Sequence, residues 1–217
     1  MTTFGKGVTG TPRWSPDGSR IVFDAHPGAY STIYVVATSG GNPRPLTDGK
    51  AEDMMPSWSH DGRWIYFVSR RSGDEQIWKM PSNGGAAVQI TRQVGREALE
   101  SPDGRTLYYH GGPERGIWRV PVDDGEESPV PELAPMPPSR YWTVTSRGIY
   151  FAPLSTGSRE FRFFDFQTRL PGSWNNRSRP DRPARQRHPD DRAPVTANCE
   201  LVNGGTMDET RTHSVSG

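Results

Sequence analysis

At 217 residues the chain has room for one or two domains, and 32% apolar residues with 24 glycines and 21 prolines suits many short strands joined by turns. A formal net charge of +1 gives no general reason to expect nucleic acid or an anionic membrane as partner. The lone cysteine, Cys199, excludes an intramolecular disulfide framework, and no apolar run approaches the roughly 18 residues of a spanning helix.

Taken in order, the opening MTTFGKGVTG lacks the apolar core of a secretory signal, so the chain as written is expected in the cytoplasm; a longer parent is compatible with the periplasm. Met1-Thr2-Thr3 matches Leu46-Thr47-Asp48 and Ile90-Thr91-Arg92, which end later fourth strands. The sequence is therefore expected to begin inside a repeat, with further repeats upstream and Met1 an internal start or a truncation. The first full unit predicts strands near 12–15, 20–24, 32–37 and 43–47. Its Ser15-Pro16-Asp17-Gly18 suits a type I turn, Pro presetting φ at the second position and Gly relaxing the fourth. The second unit predicts strands at 56–59, 64–69, 76–80 and 87–91, with Asn83-Gly84 as a hairpin signal.

The third unit keeps Ser101-Pro102-Asp103-Gly104 but has Glu100 where Trp14 and Trp58 stood; its later strands fall near 105–110, 116–120 and 127–133, with Asp123-Asp124-Gly125 as hairpin. The fourth predicts strands at 140–145, 148–152 and 159–166 around a shortened turn at Ser146-Arg147-Gly148, and no closing strand. Past Thr168 the pattern stops. The segment 169–217 is rich in Arg, Pro, Asp and Asn and is too poor in apolar residues to offset its ordering entropy, which predicts disorder. It reads either as a solvated tail or as GC-rich DNA out of frame, the second being favoured because the break falls inside a unit.

Repetition is the strongest signal. Ile21-Val22-Phe23, Ile65-Tyr66-Phe67, Leu107-Tyr108-Tyr109 and Ile149-Tyr150-Phe151 step by 44, 42 and 42 residues. A four-stranded unit of about 40–45 residues is the period of a propeller blade. The expected fold is all-β: a β-propeller of about four four-stranded antiparallel blades over 1–168, forming an incomplete ring, followed by the tail. The end blades should expose apolar flanks and promote self-association.

Three motifs, Pro12-Arg13-Trp14-Ser15-Pro16-Asp17-Gly18, Pro56-Ser57-Trp58-Ser59-His60-Asp61-Gly62 and Glu100-Ser101-Pro102-Asp103-Gly104, are each followed by an Ile- or Leu-led strand and a later Ile-Tyr or Ile-Trp strand. In these residues the chain resembles the TolB-like, WD-related propeller repeats of bacteria, over about 1–166. The run GIWRVPVDDGEE at 116–127, with Arg147-Gly148-Ile149-Tyr150-Phe151, resembles propellers C-terminal to bacterial winged-helix regulators or protein kinases. The resemblance implies a propeller and does not choose its activity. No winged helix or kinase loop is present, so those activities do not carry over.

Turn chemistry accounts for Asp17, Asp61 and Asp103. Trp14, Trp58, Trp78 and Trp118, locked to the repeat, are expected between blades rather than on a ligand. His26, His60 and His110 have no second His or Cys at metal spacing, so neither metal nor cofactor is expected. The chain also lacks G-x-S-x-G, H-E-x-x-H and G-x-x-x-x-G-K-[ST], which argues against a catalytic site of its own. Asn176-Arg177-Ser178 is a glycosylation sequon without secretory context. The loops entering first strands carry the candidate binding residues Glu52, Asp53, Arg96 and Glu97, together with Glu100, at a charged channel mouth. Truncating them is expected to leave folding intact and abolish binding. The reading is a non-catalytic module for protein interaction or ligand sensing, part of a larger bacterial regulator. The alternative is the propeller of a prolyl-oligopeptidase-type serine hydrolase whose catalytic domain lies outside the chain. No direct nucleic-acid or membrane partner is expected.

Overall fold

The computed structural model describes residues 8–112, 115–123, 125–134, 141–152 and 161–174. These fall within one unit, Met1–Ser178; a second, Arg179–Gly217, lies outside the described residues, as does most of the segment for which disorder was predicted.

Blade one comprises β1 (Thr9–Trp14), β2 (Arg20–Ala25), β3 (Thr32–Ala37) and β4 (Arg44–Pro45). Blade two is β5 (Asp53–Trp58), β6 (Trp64–Ser69), β7 (Gln76–Pro81) and β8 (Val88–Gln89). Blade three is β9 (Arg96–Glu100), β10 (Thr106–His110), β11 (Ile117–Pro121) and β12 (Ser128–Pro129), followed by a single 3-10 turn, Pro131–Leu133. Blade four is β13 (Trp142–Val144), β14 (Gly148–Phe151), β15 (Phe161–Asp165) and β16 (Pro171–Trp174). Every sheet is antiparallel with its strands in chain order, so the fold is the expected array of four-stranded blades.

Two features correct the sequence reading. Blade four does have a closing strand: β16 pairs with β15 from Phe161↔Trp174 to Phe164↔Pro171. Outer strands here are short and held by backbone hydrogen bonds, so they need no apolar alternation and leave little trace in sequence. The break in pattern therefore follows a finished blade. The first strands of blades one to three also begin earlier than predicted, and each carries a β-bulge, between Gly10 and Arg13, between Met54 and Ser57, and at Glu97; β13 of blade four has none. The bulged residues Thr11, Met55 and Glu97 have φ of 44°, 52° and 40°. An extra residue reverses the in–out alternation, which hides the start of the strand. Asp53, read as a loop residue, belongs to β5.

The core is a series of seams between blades, each built from the same positions. On blade two, Trp58, Ile65, Phe67 and Met80 form a leading face against the trailing face of blade one, Val22, Ile33 and Val35. Tyr66 and Ile77 then meet Leu107, Tyr109 and Val120; Tyr108 and Ile117 meet Trp142, Ile149, Phe151 and Phe164. Because both faces of a middle blade are covered, β6 is buried from Ile65 to Ser69 without alternation. Trp58 Nε1 donates to Arg13 O at 3.0 Å and Arg20 lies 4.7 Å over its ring. Trp78 and Trp118 pack against seams as expected, but Trp14 is 64% exposed, because no blade covers its face among the described residues.

Candidate functional site

The loops joining one blade to the next, and those between second and third strands, lie at one end of the sheets, since the start of β1 pairs with the end of β2 and that with the start of β3. Asp53 is fully buried there, and Arg71 Nη2, from the β6–β7 turn, donates to both its oxygens at 3.0 and 3.1 Å. Arg71 Nε donates to Ser69 Oγ, and its guanidinium lies 5.2 Å over Phe67 and 5.0 Å over Trp78. A carboxylate this far from water requires such a partner. Neighbouring Glu52 accepts the Ser31 amide at 3.2 Å and sits 3.2 Å from His26 Nε2.

Arg70 pairs with Glu75 at 2.7 Å, and the other oxygen of Glu75 holds Arg96 of blade three. That contact keeps the Arg70 guanidinium above its ordinary value. A cleft of about 530 Å³ opens here, lined by Tyr30, Lys50, Glu52, Met54, Arg70 and Arg71. Its walls carry both signs of charge.

Glu97, on its bulge, is 7% exposed and accepts Arg13 Nη2 at 2.8 Å and Trp142 Nε1 at 3.0 Å. One carboxylate thus joins the first strands of blades one, three and four, as expected where first strands surround a propeller channel. Beside it runs a more apolar groove of about 460 Å³ lined by Arg13, Leu99, Tyr141, Trp142, Tyr150 and Phe161.

Of the residues singled out from sequence, Glu52, Asp53, Arg96 and Glu97 share this end. Glu100 does not. It ends β9 at the opposite, hairpin-turn end, where Oε1 accepts the His60 amide at 2.9 Å and Oε2 the Tyr66 hydroxyl at 2.6 Å. Burial first, and then that carboxylate, push the Tyr66 hydroxyl above its ordinary value. Asp53, Glu97 and Glu100 thus spend their oxygens on the fold, so the expectation that all five side chains can be truncated without cost to folding is revised. Sequence reasoning missed Arg13, Tyr30, Lys50, Arg70, Arg71, Glu75 and Trp142. The only signal for them was the adjacent pair Arg70-Arg71 in a turn. Among the described residues no three His, Cys, Asp or Glu side chains gather to hold a metal, and no helix is long and apolar enough to cross a membrane.

At the opposite end blades one to three are alike. Ser15, Ser59 and Ser101 hydroxyls donate to Asp17, Asp61 and Asp103 at 2.5, 2.7 and 2.5 Å. The amides of Gly18, Gly62 and Gly104, at φ of 69°, 70° and 71°, close each turn on the serine carbonyl. The Ser15 hydroxyl above all, then Ser19, holds the Asp17 carboxyl down at about 2; the Arg63 amide and then Ser59 do the same for Asp61.

Residues 2–129 match the TolB beta propeller domain family. No curated protein matches the sequence. Among solved structures, a protein assigned as TolB from Agrobacterium tumefaciens superposes with a TM-score of 0.63 at 20% identity over 79% of this chain and 67% of its own. TolB from Acinetobacter baumannii gives 0.64 at 20% identity over 78% of this chain and 43% of its own. A puromycin-hydrolyzing peptidase from Mycobacterium tuberculosis gives 0.55 at 14% identity over 76% of this chain and 28% of its own. The chain thus spans about two thirds of one TolB and under half of the other. At these identities the likeness is one of fold.

Proposed function

Because the chain belongs to the TolB beta propeller domain family, we propose that it is a non-catalytic module that binds a protein or small ligand at the charged end of its sheets. The observation that carries this is the cleft between Tyr30, Lys50, Glu52 and Arg70, built on turns over a rigid scaffold, at the end where the repeats diverge. Walls of both signs suit a partner surface that also carries both signs. We place the module in a larger bacterial regulator as its sensing arm. Lys50 and Arg70 side chains are 85% and 55% exposed, so Lys50→Glu with Arg70→Glu should leave the fold unchanged. Immobilised full-length chain is expected to retain from bacterial extract a component that this double variant loses. Equal capture by both, with equal circular dichroism, sinks the reading.

A second reading rests on the peptidase neighbour: the blades would then cap a serine hydrolase whose catalytic domain lies outside this chain. On either reading the chain alone should not hydrolyse peptidyl p-nitroanilides. A G-x-S-x-G motif in continuous coding sequence after the propeller would favour the second.

A further inference from the structure

The seam between blades two and three opens beside the outer strands β8 and β12 into a groove of about 980 Å³. Gln89, Arg92, Gln93, Arg115, Trp118 and Glu126 line it. Both blades that form it are present, so its shape owes nothing to what adjoins blades one or four. The seam before it is the comparison. Backbone pairing fixes the equivalence, since the Leu46, Ile90 and Val130 amides donate to the carbonyls of Ile33, Ile77 and Ile117. In that register Arg92 stands for Asp48, Arg115 for Glu75, and Glu126-Glu127 for Ala86-Ala87. Ala87 packs with Leu46 and Trp78 on the core of the first seam. Glu127 instead spans the second, accepting the Arg92 amide at 2.5 Å and the Tyr109 hydroxyl at 2.5 Å. On one scaffold, two carboxylates have given way to two guanidiniums.

Arg115 is arranged to hold a planar acid. Its guanidinium lies 4.1 Å over the Trp118 ring, whose Nε1 donates to the Arg115 carbonyl at 3.1 Å. A Cβ at Gly111 would stand 2.5 Å from that ring, so the glycine makes room for the indole. Stacking fixes the face of a guanidinium and leaves its edge N–H groups available to a bidentate carboxylate. Here one of them reaches only Gln93 Oε1, at 3.4 Å. The Arg92 and Glu126 side chains are exposed and have no partner among the described residues. We infer that the groove seats an extended peptide segment of a partner protein. An Asp or Glu of that segment lies on Arg115 and Arg92, and a neighbouring Lys or Arg on Glu126. A phosphate dianion would face Glu126 and Glu127, whereas a carboxylate beside a cation matches both signs of the lining. Small-molecule pockets measure about 300–1,000 Å³, so a groove at the upper limit suits several residues of extended chain. This inference does not rest on the cleft between Tyr30, Lys50 and Arg70.

The test is a peptide selection. Random linear heptapeptides on phage are depleted on the immobilised Arg92→Gln, Arg115→Gln double variant, then selected on the full-length wild type. Circular dichroism checks the fold of each variant, and Arg92→Gln alone, at an exposed side chain, serves if the Trp118 stack needs Arg115. Enriched peptides should carry an acidic residue beside a basic one. A fluorescein-labelled synthetic copy should bind the wild type in an anisotropy titration. Its affinity should fall about tenfold when its acid is made the amide or the protein carries Arg115→Gln. Arg92→Gln should weaken it less, and Lys50→Glu with Arg70→Glu not at all, which separates this groove from the cleft. No enrichment over the depleted variant, enriched peptides without an acid, or equal affinity for acid and amide each overturn the inference.

Discussion

At the hairpin-turn end of the sheets, three serines make the same hydrogen bond to three aspartates in turns closed by three glycines. At the other end the blades differ: Asp53 lies buried under Arg71, Glu75 bridges Arg70 and Arg96, and Glu97 ties together Arg13 and Trp142. The same sheets connect both ends, so the difference is not one of scaffold. A contact repeated in blades one to three is required by the turn they share. A contact made once is required by something only one blade does, whether locking a neighbour or meeting a partner.

The largest break in this comparison should come from Arg71→Ala. It strands the buried Asp53 carboxylate, for which a loss of about 3–5 kcal/mol is expected in urea unfolding. Glu97→Ala should cost less, about 1–3 kcal/mol, by leaving the buried Trp142 indole N–H without its acceptor. Trp142 emission should shift in the folded state, since its surroundings change even where the blades hold. Asp→Asn at residues 17, 61 and 103 should each have a smaller effect, nearly equal at the three sites. That equality is the sharper result, because it follows from the identity of the turns.

Acid should act on the same end. The Asp17 and Asp61 carboxyls are held at about 2, below their ordinary 3.8, and Asp103 is lowered as well. The unfolded chain takes up these protons first as pH falls. The stabilisation is therefore complete above about pH 4 and is lost as pH falls from there through about 2. The wild type should lose stability over that window more steeply than the triple Asp→Asn variant, as urea midpoints against pH will show. Smallest of all, Lys50→Glu with Arg70→Glu should lower the unfolding midpoint only slightly, since both side chains lie largely in water and Arg96 still pairs with Glu75 once Arg70 is gone.

The two ends were also unequally legible. Ser-x-Asp-Gly turns state their conformation in residue type, so their period gave the blades directly. The charged end has no such code. Thr11, Met55 and Glu97 adopt positive φ without being glycine, so nothing in their side chains marks the bulge. Arg71 reaches Asp53 only once β5 and β6 are in register, and Glu97 finds Arg13 only once blades one and three share a channel. Glu52, Asp53, Arg96 and Glu97 could be placed together from strand order alone. Glu100 could have been set apart from them, because it directly precedes the Ser101-Pro102-Asp103-Gly104 turn, at the position of Trp14 and Trp58. The closing strand β16 was missed because an outer strand is held by its backbone.

The most direct measurement is photocrosslinking from the two ends in one experiment. A benzophenone amino acid replaces Tyr30 in the cleft or Arg63 at a hairpin turn, both exposed positions, and each full-length chain is irradiated in bacterial extract. A discrete adduct from position 30, absent from position 63 and lost with Lys50→Glu and Arg70→Glu, is the expected result. The same adducts from both positions, or adducts from position 63 alone, would contradict the assignment of binding to the varied end.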